Sequence, residues 1–131
     1  MDLIEQYREE LENDAKIDRF NLTDIQMKLP GIKHKWVARL INHKKELNKL
    51  KDTLKQVKEK LVEDLQKEAK VILTTPTLER KADAHEVCQK LQAEIRNQEL
   101  IILYLEKVEN IFRTMSYDLS NVVQLIKLEE T

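Results

Sequence analysis

Lysines carry the only chemistry that this chain spaces regularly. Lys44, Lys51, Lys55 and Lys58 recur at steps of seven, four and three, which sets four ammonium groups on one strip of a helix. Lys45, Lys49 and Lys60 fan out beside the strip, and Lys33, Lys35 and Arg39 cover the stretch before it. Between Lys28 and Lys60 there are eleven Lys/Arg against three acids (Glu46, Asp52 and Glu59), a net charge of +8. Residues 1–27 carry −5 and residues 61–131 carry −4, so the overall −1 hides a basic block between two acidic ones. The ordinary exterior of a charged helix mixes both signs in i,i+4 pairs. A segregated block instead expects an anion, and nucleic acid is the large anion that fits it. Lys outnumbers Arg ten to one in the block, and an ammonium holds backbone phosphate without reading base edges.

Other chemistries lack their parts. A single Gly cannot build a phosphate-cradling loop, and neither GxxxxGK[ST] nor HExxH occurs. His34 and His43 are nine residues apart and fall on different helix faces. His85 and Cys88 are three apart and could share a metal, yet two ligands do not make a site. No enzyme, cofactor or metal centre is expected. The lone Cys88 forms no internal disulfide, in keeping with a reducing cytoplasm. The longest apolar run, Leu100–Leu105, is far short of a membrane span. The acidic, amphipathic N-terminus reads as neither a signal nor a transit peptide.

The elements that must position the lysines are helices. With 36% charged residues, 5% aromatics, one Gly and two Pro, the composition is that of an all-α chain. Leu3, Ile4, Tyr7 and Leu11 pattern an N-terminal helix over residues 2–15. Residues 16–30 break the period, with Thr23 and Gln26 suited to a capping box. Pro30 suits the first turn of a long basic helix over 31–73. Trp36, Leu40, His43, Leu47, Leu50, Leu54, Val57 and Leu61 form its seam, in alternating steps of four and three. Trp36 sits on that seam, where packing outweighs base stacking, and His43 reads as a polar register-setter. Thr75 as N-cap and Pro76 at N1 start a return helix over 76–115, and Ser116 caps a last helix over 116–131. A second heptad runs through Ile101, Leu105, Val108, Phe112, Met115, Leu119, Val122 and Ile126. It is expected to join subunits, because the all-apolar run before it needs cover on every face. A helix of 43 residues would be roughly 65 Å long, whereas a compact monomer of this size has a radius of gyration of about 14 Å.

The ordered set Glu9-Glu10-Leu11, Asp14, Ile17-Asp18, Leu22, Lys35-Trp36 and Lys44-Lys45-Glu46 resembles the UvsY family of T-even-type phage recombination mediators. The resemblance is best over residues 9–61. It implies a non-enzymatic ring oligomer of six or seven subunits, in the cytoplasm of the bacterial host cell, that binds single-stranded DNA. Its partners would be a UvsX-type, RecA-like recombinase, which it helps to load, and the single-strand-binding protein that it helps displace. The family's Lys-x-basic-Leu motif falls on Lys58-Glu59-Lys60-Leu61, which implies phosphate contacts for Lys58 and Lys60. Where the family often continues with an aromatic pair and a Gly, this chain has Val62-Glu63-Asp64-Leu65.

The expected architecture is therefore an N-terminal helix, a long helical hairpin and a C-terminal helix, assembling into a ring-shaped homo-oligomer. The expected function is single-strand binding that positions a recombinase. A structural coiled-coil adaptor, whose basic face binds an acidic protein, is the rival reading.

Overall fold

The computed structural model describes residues 2–18 and 20–130. Among them are four helices and no strand: α1 (Leu3–Asp14), α2 (Leu22–Glu68), α3 (Thr75–Asp83) and α4 (Glu86–Glu130). The chain is all-α, as its composition suggests, and α1 falls where expected, but the ends of the later helices lie elsewhere.

Helix α1 starts at an Asp2 cap, whose carboxylate accepts from the Ile4 N–H at 3.1 Å. Helix α2 begins at Leu22, so Pro30 lies inside it instead of opening it. Its start is built by Asp18 and Asn21. Asp18 Oδ1 accepts from the N–H of Phe20 and of Asn21, and Asn21 Oδ1 accepts from the Asp18 N–H. Thr23 and Gln26 are thus helix interior, not a capping box. A proline there removes a backbone bond and costs about 3 kcal/mol. The offset is burial on both sides of it, because Ile25, Leu29, Trp36 and Leu40 are all buried.

Helix α2 stops at Glu68, short of Leu73. The Gln66 side chain fixes the chain after it, accepting from the Leu73 N–H at 3.2 Å and donating to the Val71 carbonyl at 3.4 Å. Thr74, not Thr75, caps α3, taking the Thr77 N–H and placing Pro76 within the first turn. The return arm then breaks at Ala84–His85, where His85 Nδ1 accepts from the Val87 N–H at 3.2 Å and caps α4. No break occurs at Ser116, and α4 runs through it. Nothing there competes with the helix, since Met115 and Leu119 are buried on either side.

The chain divides into two compact units. The first comprises residues 1–42 and 101–131. Its core is Ile25, Leu29, Trp36 and Leu40 from α2 against Ile101, Leu105, Val108, Phe112, Met115 and Leu119 from α4. Trp36 is 2% exposed and its ring lies 6.3 Å from that of Phe112. Tyr7 of α1 meets Trp36 edge-on at 5.6 Å. Helix α1 has no fully buried residue. The second unit comprises residues 43–100. Leu78, Ala82, Cys88 and Ile95 are buried in it, and the seam residues Leu47, Leu50, Leu54, Val57 and Leu61 are half-buried. His43 Nδ1 donates to Gln98 Oε1 at 2.8 Å, a polar pair on the seam.

Candidate nucleic-acid interface

In the first unit the cations of α2 are engaged inside the chain. Lys35 Nζ lies 2.6 Å from Asp14 Oδ2 and 3.1 Å from Glu10 Oε1. Arg39 grips both oxygens of Glu10, with Nη2 donating to Oε1 at 3.1 Å and Nη1 to Oε2. Trp36 Nε1 donates to Asp14 at 2.9 Å. The Arg39 guanidinium also lies over the rings of Trp36 and Tyr7, at 4.8 and 5.0 Å, a favourable cation–π placement. The Arg39 hydrogen bond holds the Glu10 carboxyl below its usual value, against the opposing effect of burial. Burial would lower the Lys35 ammonium, but its bonds to Asp14 and Glu10 outweigh that and raise it. Lys33 Nζ donates to Ser116 Oγ at 2.6 Å. Lys35 and Arg39, expected among the strand-binding cations, are therefore tied to acids of the first unit, whereas Lys33, expected with them, meets only a neutral hydroxyl among the described residues. The signal for this was present: two acids four apart on α1 match two bases four apart on α2.

The second unit presents the remaining lysines. Lys44, Lys45, Lys49, Lys51, Lys55 and Lys60 are exposed along α2. Among the described residues no ion pair engages Lys45, Lys49, Lys51, Lys55 or Lys60. Lys58 differs. It is half-buried and pairs with Asp83 of α3 at 3.0 Å, a bond that raises its pKa. Sequence reasoning missed Asp83, because nothing local in the sequence marks which acid of α3 faces α2. A cleft of about 350 Å³ opens beside this pair, lined by Lys55, Lys58, Glu59, Val62, Thr75 and Glu79. Val62-Glu63-Asp64-Leu65 continue α2 without a turn.

Six of the eight residues expected to join subunits are spent within one chain. Ile101, Leu105, Val108, Phe112, Met115 and Leu119 are at most 4% exposed, while Val122 and Ile126 are half-buried. The apolar residues of α4 that reach solvent in the first unit include Leu103, Ile111, Tyr117, Leu125 and Leu128. Exposed His85 and fully buried Cys88 share no ligand set, and no cluster of three ligating side chains occurs among the described residues. No helix among them is long and apolar enough to cross a membrane.

The sequence profile of the family described as recombination, repair and ssDNA binding protein UvsY matches residues 10–131. The chain belongs to the UvsY family. Crystal structures of the bacteriophage T4 recombination mediator protein UvsY share the fold. One lattice form superposes with a TM-score of 0.82 at 14% identity, covering 96% of this chain and 98% of that one. A second gives 0.81 at 14% identity, covering 100% and 99%. No curated protein sequence matches. In this UvsY-family chain the Lys-x-basic-Leu segment lies in α2 of the second unit, with Lys60 exposed and Leu61 half-buried.

Proposed function

We propose that this chain is a recombination mediator that binds single-stranded DNA along α2 of its second unit. The observation that carries the reading is the exposed lysine row of a UvsY-family chain, Lys44, Lys45, Lys49, Lys51, Lys55 and Lys60, of which the last five have no ion pair among the described residues. Each ammonium takes a phosphate and releases condensed counter-ions, so binding is tight at low salt and indifferent to base sequence. Lys58 joins them by trading Asp83 for phosphate. Lys33, Lys35 and Arg39 belong to the first unit and contribute little to the strand.

The chain acts as a ring-shaped homo-oligomer, in which several rows engage one strand and weak contacts add by avidity. Because the Ile101–Leu119 seam fills one chain's core, the assembly surface is the outward side of α4 at Leu103, Ile111, Tyr117, Leu125 and Leu128, extended by Val122 and Ile126. On the strand it loads a UvsX-type recombinase in place of single-strand-binding protein, in the host cytoplasm. The test is a salt titration of labelled oligothymidylate binding by fluorescence anisotropy. A slope near zero, with an acidic protein bound instead, would favour the adaptor reading.

A further inference from the structure

In the first unit α2 and α4 pack as a pair, and a pair of helices has two flanking grooves. Helix α1 fills one. Its partners on α2 are Lys35, Trp36 and Arg39. The other flank is open. A cavity of about 580 Å³ there has Leu29 and Pro30 of α2 and Leu119 and Val123 of α4 among its walls. A second, of about 230 Å³, adjoins it at Lys33 and is floored by Trp36 and Phe112. Lys33 lines both, and positions two apart on a helix point roughly 160° from one another. Lys33 thus turns to this flank while Lys35 turns to α1.

Together the two cavities follow α4 from Glu109 to Lys127, roughly 27 Å at about 1.5 Å per residue. That length accommodates a helix of up to about eighteen residues, more than the 12 of α1. The walls also match the α1 flank in charge. Lys33 and Lys127 stand at the open groove with no ion pair among the described residues, Lys33 being satisfied only by the neutral Ser116 hydroxyl. The one acid in the walls, Glu109, is already paired with Arg113 at 3.5 Å. Helix α1 shows what such a flank holds: a short amphipathic helix whose acids, Glu10 and Asp14, close over basic residues while its apolar side is only half buried.

We infer that this second groove is a docking site for an acidic amphipathic helix of a partner protein, which completes a four-helix arrangement with its carboxylates on Lys33 and Lys127. The site is separate from the lysine row of the second unit and does not depend on how the chain binds DNA.

A labelled synthetic peptide of residues 2–15 serves as the probe, since it carries six acids and one base on an amphipathic pattern. Anisotropy against the full chain reads its binding. Two variants challenge the groove: Lys33→Glu with Lys127→Glu, which reverses its charge, and Ser120→Trp, which fills it from an exposed position. Saturable binding by the wild-type chain, about tenfold or more weaker in both variants, is the expected result. No binding overturns the inference. So does equal binding by the variants, which would mean exchange with the chain's own α1. If oligothymidylate loses affinity in the variants by the same factor, the groove is a nucleic-acid path. If the variants instead break up an assembly in sedimentation, a second copy fills it. Either result also overturns the inference.

Discussion

The two units use the same helix for opposite purposes. In the first, α2 turns Trp36 and Leu40 into a deep core and ties Lys35 and Arg39 to acids of α1. In the second, the apolar seam of α2 is only half-buried and its lysines face water. The fully buried residues of that unit, Ala82 and Cys88, are small and fill little volume. The difference teaches that a basic segment is not a single feature. Cations with built-in counter-ions are structural, and those without remain open to an external anion.

The core contrast should give the largest effect. Trp36→Ala is expected to cost about 3–5 kcal/mol, because it empties a packed site among Tyr7, Phe112 and Arg39. Leu54→Ala, at a half-buried seam position, should cost about 1 kcal/mol. Urea unfolding followed by circular dichroism measures both, and equal losses would erase the distinction between the cores.

The charge contrast comes next. Replacing Lys49, Lys55 and Lys60 with Ala should make the slope of log affinity against log salt shallower by about 2 for each engaged subunit, at about 0.7 per lost phosphate contact. Helicity should hold, since Ala is favourable in an exposed helix. Replacing Lys35 and Arg39 should lower the melting temperature and leave the slope alone. The reverse pattern would move the strand to the first unit. Lys58 sharpens the point. Asp83→Asn removes its internal partner and should tighten binding while leaving the slope unchanged, since Lys58 meets phosphate either way.

Much of this was legible in the chain. The α1 pattern, the apolar seam of α2, and the placement of Trp36 in the core and His43 on the seam follow from periodicity. Helix ends were harder. Ile25, Leu29 and Ile32 continue the seam of Trp36 backwards in steps of four, three and four, yet Pro30 and Gly31 read as a boundary because local propensity spoke against a helix. Burial of Ile25 and Leu29 overrode it. At Ser116 the error ran the other way, since a good capping residue carried no force once the core was continuous on both sides. The heptad of α4 showed that a face is buried without saying by which chain. Periodicity cannot distinguish a fold's own core from a subunit interface.

The smallest effect is in pH, and it separates the units at the acid end. Glu10 has a carboxyl held below its ordinary 4.5, chiefly by the Arg39 hydrogen bond. Its contribution is therefore present above pH 4.5 and lost as pH falls through the depressed value in the folded chain. Lys58 has an ammonium raised above its ordinary 10.5 by Asp83. Its contribution is present below that value and lost as pH rises through the raised one. Acid should thus loosen α1 in the first unit, and alkali should loosen α3 from α2 in the second and, because Asp14 and Glu10 raise the Lys35 ammonium, also weaken the hold on α1. Both pairs are about a third exposed or more on at least one side, so each effect should stay under about 1 kcal/mol. Trp36, the only tryptophan and a partner of α1 through Asp14, reports the acid step by its fluorescence. Glu10→Gln should flatten that step, while Lys58→Gln should leave it unchanged and flatten part of the alkaline limb of a denaturation series. If Lys58→Gln flattens the acid step, the two units do not carry their charges in the separate ways described.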